Sequence, residues 1–98
     1  MKLFISQPMK YRSNEEIQYE REQIIDEVND LYPDVEIINS FIEDTPRCEN
    51  NPLWCLGKSF ELLSSADIVW FANGWEHYRG CKLEHEAAIQ YGIKIIKD

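Results

Sequence analysis

In the stretch RGCKLEHEAAIQYG, from Arg79 to Gly92, an acid sits where a helix should be apolar. Counted from Gly80 at helical spacing, Gly80, Leu83, Glu84, Ala87, Ala88 and Tyr91 fall on one stripe, and all but Glu84 are small or apolar. Burying an unpaired carboxylate is strongly unfavourable. Glu84 therefore either pairs with Arg79, Lys82 or a backbone amide and steadies the adjoining loop, or it does chemistry. A carboxylate on the first turn of a helix, pointing into a crevice, is kept ionised by the helix dipole and can serve as a nucleophile in a closed pocket. Arg79, beside Gly80 at the positive end of the same helix, is placed to hold a phosphate, or else is an ordinary surface arginine next to a glycine. Lys10 and Arg12 read the same way. Trp75 has three possible uses: stacking on a base, packing against a second subunit, or filling the core. His77, Cys81 and His85 recur four apart. A structural zinc site needs four ligands, Cys48 and Cys55 do not form a Cys-x-x-Cys pair, and His77 precedes the helix, so no metal site is expected.

These residues need elements to hold them. Leu3-Phe4-Ile5, stopped by Ser6-Gln7-Pro8, reads as a short buried strand. Ser13 and Glu16 form a capping box, after which Ile17, Ile24, Ile25, Val28 and Leu31 recur at helical spacing, predicting a helix from Asn14 to Leu31 that Pro33 closes. Val35 to Ile38 reads as a second strand, and Asp44 to Pro52, with its prolines and asparagines, as a loop. Leu53, Leu56, Phe60 and Leu63 mark a second helix. Asp67 to Phe71 is a strand covered on both faces, and Ile93 to Ile96, after Gly92, is a fourth strand. Strands alternating with three main helices give an α/β three-layer sandwich around a parallel sheet of about four strands, flavodoxin-like or Rossmann-like, in the order 2-1-3-4. That order centres the two most apolar strands. It also opens a crevice at their carboxyl ends, where Ser6 to Arg12 meets Asn73 to Gly80.

Composition narrows the partners. Ninety-eight residues, 44% of them apolar, make one domain from residue 1 to residue 98 with a single core. Ten basic against 18 acidic residues leave a net charge of −8, which disfavours duplex nucleic acid and anionic membranes. MKLFISQPMK carries too short an apolar run for a signal peptide or a membrane span. Three cysteines, Cys48, Cys55 and Cys81, are an odd number that suits a reducing compartment, so a cytoplasmic protein is expected. Three tryptophans and five tyrosines exceed what so small a domain can bury, and Trp54 and Trp75 are candidate anchors for a homo-oligomer using the second or third helix.

FISQPM at the start, SADIVWFANGW in the middle and RGCKLEHEAAIQYGIKI at the end together resemble a small domain family, common in phages and bacteria, of the nucleoside 2-deoxyribosyltransferase-like superfamily. The resemblance spans nearly the whole chain. Enzymes of that superfamily open their last major helix with Gly, three residues, Glu and then small residues, the glutamate being the nucleophile. Gly80, Glu84, Ala87 and Ala88 match at the same spacing, so the resemblance implies that Glu84 attacks the anomeric carbon of a bound sugar. Asp67 resembles a recurrent acid of the family. The transferases carry an aspartate six residues before the nucleophile to assist the leaving base, and here that position is Tyr78, which can still donate a hydrogen bond. The sugar and phosphate loop of the family is glycine-rich or Ala-Gly-Pro, whereas here the loop after the first strand is Ser6-Gln7-Pro8-Met9, followed by Lys10.

The expected function is accordingly recognition of a nucleoside or nucleotide, with no further cofactor, and cleavage or transfer of its N-glycosidic bond. Glu84, Asp67 and Tyr78 are the expected catalytic groups, and Ser6, Gln7, Pro8, Met9, Lys10, Asn73, Gly74, Trp75, Arg79 and Gly80 the ligand-binding ones. The alternative is a binder without turnover, which sequesters a nucleotide signal of bacterial immunity in the same crevice.

Overall fold

In a computed structural model, which describes residues 1–40 and 50–98, the chain alternates strands and helices: β1 (Lys2–Ser6), α1 (Asn14–Leu31), β2 (Glu36–Ile37), α2 (Asn51–Leu63), β3 (Ile68–Phe71), α3 (Arg79–Gln90) and β4 (Lys94–Lys97). A single 3-10 turn, Trp75–His77, joins β3 to α3. The strands form one parallel sheet in the order β2-β1-β3-β4, as the sequence predicts. β1 and β3 lie at its centre in the register Leu3 opposite Ile68 through Ser6 opposite Phe71.

Side chains alternate across a strand, so this register sorts the core by parity. Leu3, Ile5, Ile68, Trp70 and Ala72 pack against Ile24 and Val28 of α1. Phe4, Val69 and Phe71 pack on the other face against Leu63 of α2 and Ala88 of α3. One helix below the sheet and two above it make the three layers. Both central strands are buried on both faces, which explains their continuous apolar runs.

The helix ends follow from local chemistry. Ser13 Oγ accepts the Glu16 amide at 3.1 Å and starts α1 as expected. α2 begins earlier than its apolar spacing suggested. The Asn50 side chain accepts the Leu53 amide at 3.1 Å and Pro52 falls in the first turn, where its missing N–H costs nothing, so Pro52 belongs to the helix and not to the loop. The remainder of the loop expected from Asp44, with Cys48, lies outside the described residues. Gly92, at φ +73°, ends α3 in the left-handed conformation that glycine tolerates best. Gly57 lies within α2, where a glycine costs about 1 kcal/mol relative to alanine, yet beyond its chain neighbours and its own helix backbone no atom of the described residues lies within 4 Å of where its Cβ would be.

Two helical faces differ from the sequence reading. On α3 the buried positions are Cys81, Glu84 and Ala88, while Leu83 and Tyr91 of the expected stripe are exposed. The stripe is rotated by part of a turn, and Glu84 is on the buried side in either setting. On α1 the buried face contains Arg21, four residues after Ile17. Its guanidinium donates to the Ile38 carbonyl at 2.8 Å and to Ser40 Oγ at 3.2 Å, and Ser40 Oγ in turn donates to the Ile5 carbonyl at 3.2 Å. Burial lowers the pKa of this guanidinium from its ordinary value. No helix among the described residues is long and apolar enough to cross a membrane.

Candidate functional site

The connections leaving β1 and β3 depart to opposite faces of the sheet, one to α1 and the other to α3. The gap between them is a cleft of about 670 Å³ at the carboxyl ends of the central strands. Its walls are Gln7 to Tyr11 after β1, His77 to Gly80 before and at the start of α3, Ser40 after β2, and Cys55 and Ser59 on α2. Cys81 and Glu84 line it from α3.

The loop after β1 is braced from behind. The Gln7 amide donates to the Ile17 carbonyl at 2.7 Å and to Glu20 Oε1 at 2.9 Å, which leaves its own Oε1 buried without a partner. Arg12 donates to the Pro8 carbonyl at 2.8 Å and to Glu20 at 2.9 Å. Arg12 is therefore committed to Glu20 and does not reach the cleft as a phosphate ligand. Between these anchors the Arg12 amide closes a turn onto the Met9 carbonyl at 3.2 Å, and Tyr11 takes φ +64°. A tyrosine in that conformation is strained, and its ring is 93% exposed at the mouth of the cleft beside the Lys10 ammonium. Tyr11→Gly is expected to stabilise the domain by about 1 kcal/mol, read as a higher urea midpoint with an unchanged slope. An unchanged midpoint would show that the turn stores no strain.

Glu84 lies at the floor of the cleft, 8% exposed. Burial pushes its carboxyl up to about 7, and the Ser6 hydroxyl opposes part of that shift. The carboxyl is thus about half protonated at neutral pH, because desolvation outweighs the helix-end field that the sequence suggested would keep it ionised. Neither Arg79 nor Lys82 forms an ion pair with it among the described residues. Ser6, itself 1% exposed, acts on both Glu84 and Cys81 while lacking a well-formed hydrogen bond of its own. The Cys81 thiol is pushed up to about 11, chiefly by burial, and is no thiolate at neutral pH. Arg79 stands exposed on the first turn of α3 without an ion-pair or hydrogen-bond partner among the described residues. No side chain caps that helix. A Cβ on Gly80 would enter open space, so the backbone there is approachable from the cleft.

No protein-family profile matches this sequence, and no curated protein does. Among solved structures, the crystal structure of a conserved protein from Enterococcus faecalis is similar over 98% of this chain, with a TM-score of 0.68 and 17% sequence identity. This chain covers 61% of that protein's length. At such identity the likeness shows the fold alone.

Of the residues singled out from the sequence, the cleft gathers Gln7, Pro8, Met9 and Lys10 with Tyr78, Arg79, Gly80 and Glu84, and Ser6 lies directly behind Glu84. Four do not join them. Asp67 is exposed at the opposite, amino end of β3, where its carboxylate accepts the Lys2 amide at 2.7 Å, so its place is to fasten two strand starts. Asn73 opens onto a smaller groove on the α1 side, with Glu20, Glu27 and Lys97. Gly74, at φ +84°, starts the 3-10 turn. Trp75 is stacked on His85, with centroids 4.1 Å apart and planes at 13°, and tilted against Phe71 at 5.4 Å. Of the three uses read for it, packing is the one these contacts show, and Trp75 does not line the cleft. His85 Nε2 lies 3.0 Å from Asp98 Oδ2, so His85 does not join the cleft that His77 and Cys81 line. Sequence reasoning missed Ser40, Cys55 and Ser59, and it placed Tyr11 in the crevice only as part of the loop from Ser6 to Arg12. Ser40 was accessible to it, being the end of the strand beside β1, and Cys55 and Ser59 share one helix face by their spacing of four.

Proposed function

We propose that the chain binds a nucleoside or nucleotide in this cleft and cleaves or transfers its N-glycosidic bond with Glu84 as nucleophile. The observation that carries the reading is the buried Glu84 carboxyl beneath a cleft whose other lining charges, among the described residues, are the cations Lys10 and Arg79, in a chain of net charge −8. A cleft of that polarity suits an anionic ligand. In the reaction a Glu84 oxygen attacks the anomeric carbon, and the bond to the base nitrogen breaks with its electron pair going to the base. Tyr78 donates a hydrogen bond to the departing base, which takes its proton from solvent. Water or a second base then attacks the glycosyl ester and restores the carboxylate. Ser6 and Gln7 position Glu84 and the sugar, and Arg79 with the uncapped start of α3 receives a phosphate.

The second reading, a nucleotide binder without turnover, is favoured by the half-protonated state of Glu84 and by the absence of another carboxyl from the cleft lining among the described residues. Both readings predict ligand-induced stabilisation. A ligand at a hundred times its Kd adds about 2.7 kcal/mol, a shift of several degrees in a domain of this size. A thermal-shift series of nucleosides, nucleoside mono- and diphosphates and cyclic nucleotides is expected to contain such a ligand, and a flat response at millimolar concentration would eliminate both readings. Arg79→Ala is expected to weaken a phosphorylated ligand about tenfold more than its nucleoside. Equal losses in calorimetric titration would remove Arg79 from phosphate recognition.

A further inference from the structure

We infer that the cleft selects a ribonucleotide over its 2′-deoxy counterpart, with the Gln7 side-chain carbonyl accepting the proton of the 2′-hydroxyl. The inference rests on the proposed reading of the cleft. Among the described residues the buried side-chain atoms without a hydrogen-bond partner are Ser6 Oγ and Gln7 Oε1, on adjacent residues where β1 ends. Leaving such a group unpaired is costly and native chains keep few of them, so two side by side at the mouth of a cleft call for a cause.

Hydrogen bonding fixes what Gln7 can read. Its amide nitrogen has two hydrogens, and they go to the Ile17 carbonyl at 2.7 Å and to Glu20 Oε1 at 2.9 Å. Both partners are acceptors, so the nitrogen must face them and the amide cannot turn over. Oε1 is thereby held as an acceptor on a residue of the cleft wall that is 6% exposed. A ligand group that meets it has to bring an O–H or N–H. The oxygen is closed to bulk water as the chain stands, and a donor reaches it from the cleft once the adjoining loop from Pro8 to Arg12 gives by the width of a hydroxyl.

The neighbouring residue says which hydroxyl. Ser6 lies directly behind Glu84, whose carboxylate attacks the anomeric carbon in the proposed reaction, and Gln7 follows Ser6 in the chain. On a ribose the hydroxyl nearest the attacked carbon is the 2′-hydroxyl, one carbon away. A 2′-deoxy sugar offers a C–H there and leaves Oε1 stranded, and discrimination is largest where a missing ligand group strands a buried polar group of the site. A hydrogen bond to this hydroxyl also strengthens as positive charge develops at the anomeric carbon, so the preference extends from binding to turnover.

Calorimetric titration of the full chain with the four common ribonucleoside 5′-monophosphates, and with their 2′-deoxy and 2′-deoxy-2′-fluoro forms, tests this. Whichever base fits, the ribo form is expected to bind at least about tenfold more tightly than the deoxy form. The fluoro form keeps a ribose-like pucker but cannot donate, and should be as weak as the deoxy form. Gln7→Met, close in length and without a carbonyl, should bring the three forms within about threefold of one another. If that variant misfolds, the fluoro and ribo forms compared on the wild-type chain decide the matter. Equal affinities for the ribo and deoxy forms would overturn the inference and leave the cleft reading standing, as would a fluoro form that binds like the ribo form or a preference that persists in folded Gln7→Met. Binding of none of these compounds at millimolar concentration would remove the cleft reading and the inference together.

Discussion

Replacing Glu84 by glutamine is expected to raise the melting temperature at pH 8 by about 10 °C or more and to leave it nearly unchanged at pH 4.5. The carboxyl titrates at about 7 in the folded chain against an ordinary value of 4.5. The folded state therefore holds this proton more tightly than the unfolded state. Below pH 4.5 both states are protonated and burial carries no penalty. Between 4.5 and 7 the unfolded chain releases its proton while the folded chain keeps it, so stability falls as pH rises. Above 7 the full penalty is present, about 3 kcal/mol at roughly 1.4 kcal/mol for each unit. Glutamine has nearly the same shape and never ionises, so the variant escapes the penalty. For about a hundred residues each kcal/mol moves the melting point by roughly 4 to 8 °C. Because other groups titrate equally in both proteins, the difference between variant and wild type isolates Glu84. Parallel melting curves across this range would show that the carboxyl is not buried as described.

The same substitution is expected to reduce turnover at least about 1,000-fold while ligand affinity stays within a few fold. An amide retains the size and much of the polarity of the side chain but cannot form the glycosyl ester. In the wild-type chain, kcat/KM should rise with pH through about 7 and level off above it, since only the ionised carboxyl attacks. A rate that falls through the same region would make Glu84 a proton donor instead. Substantial glycosidic cleavage by Glu84→Gln would remove the nucleophile assignment. Binding with no turnover in either protein would leave the sequestering role. Glu84 thus carries opposite expectations in the two measurements: its ionised form is the least stable state of the fold and the one that reacts.

The parts legible in the sequence were those set by short-range rules. Continuous apolar strands, the Ser13 cap and the alternation of elements led to the sheet order, because a right-handed crossover leaves few alternatives. Glu84 was legible because an acid on a small-residue stripe breaks a local pattern. What failed depended on distances that periodicity does not encode. Asp67 opens a parallel strand and so lies at the end remote from the cleft, and its catalytic assignment came from the resemblance and not from the predicted sheet. The use of Trp75 stayed open among three because the 3-10 turn that folds its ring onto His85 has no apolar repeat to announce it. The ionisation of Glu84 was misjudged for a related reason. A helix-end field is a local property, whereas desolvation depends on everything packed around the group.

The brevity of β2 has a consequence for how the molecule opens. Two residues of that strand pair with β1, the Ile38 amide donates to the Leu3 carbonyl at 2.9 Å, and beyond it the described chain is secured by the Arg21 guanidinium on the Ile38 carbonyl and by the Arg21–Ser40–Ile5 relay. One cation on a neighbouring helix thus supplements a ladder of amides shorter than that between β1 and β3. In the language of native-state exchange, this edge is expected to open as a small cooperative unit before the β1–β3 pair yields. Ser40 belongs both to that unit and to the wall of the cleft. Slackening of the sheet edge and slackening of the binding wall are therefore one event, and an occupant that touches Ser40 would slow exchange at Ile38 without touching it.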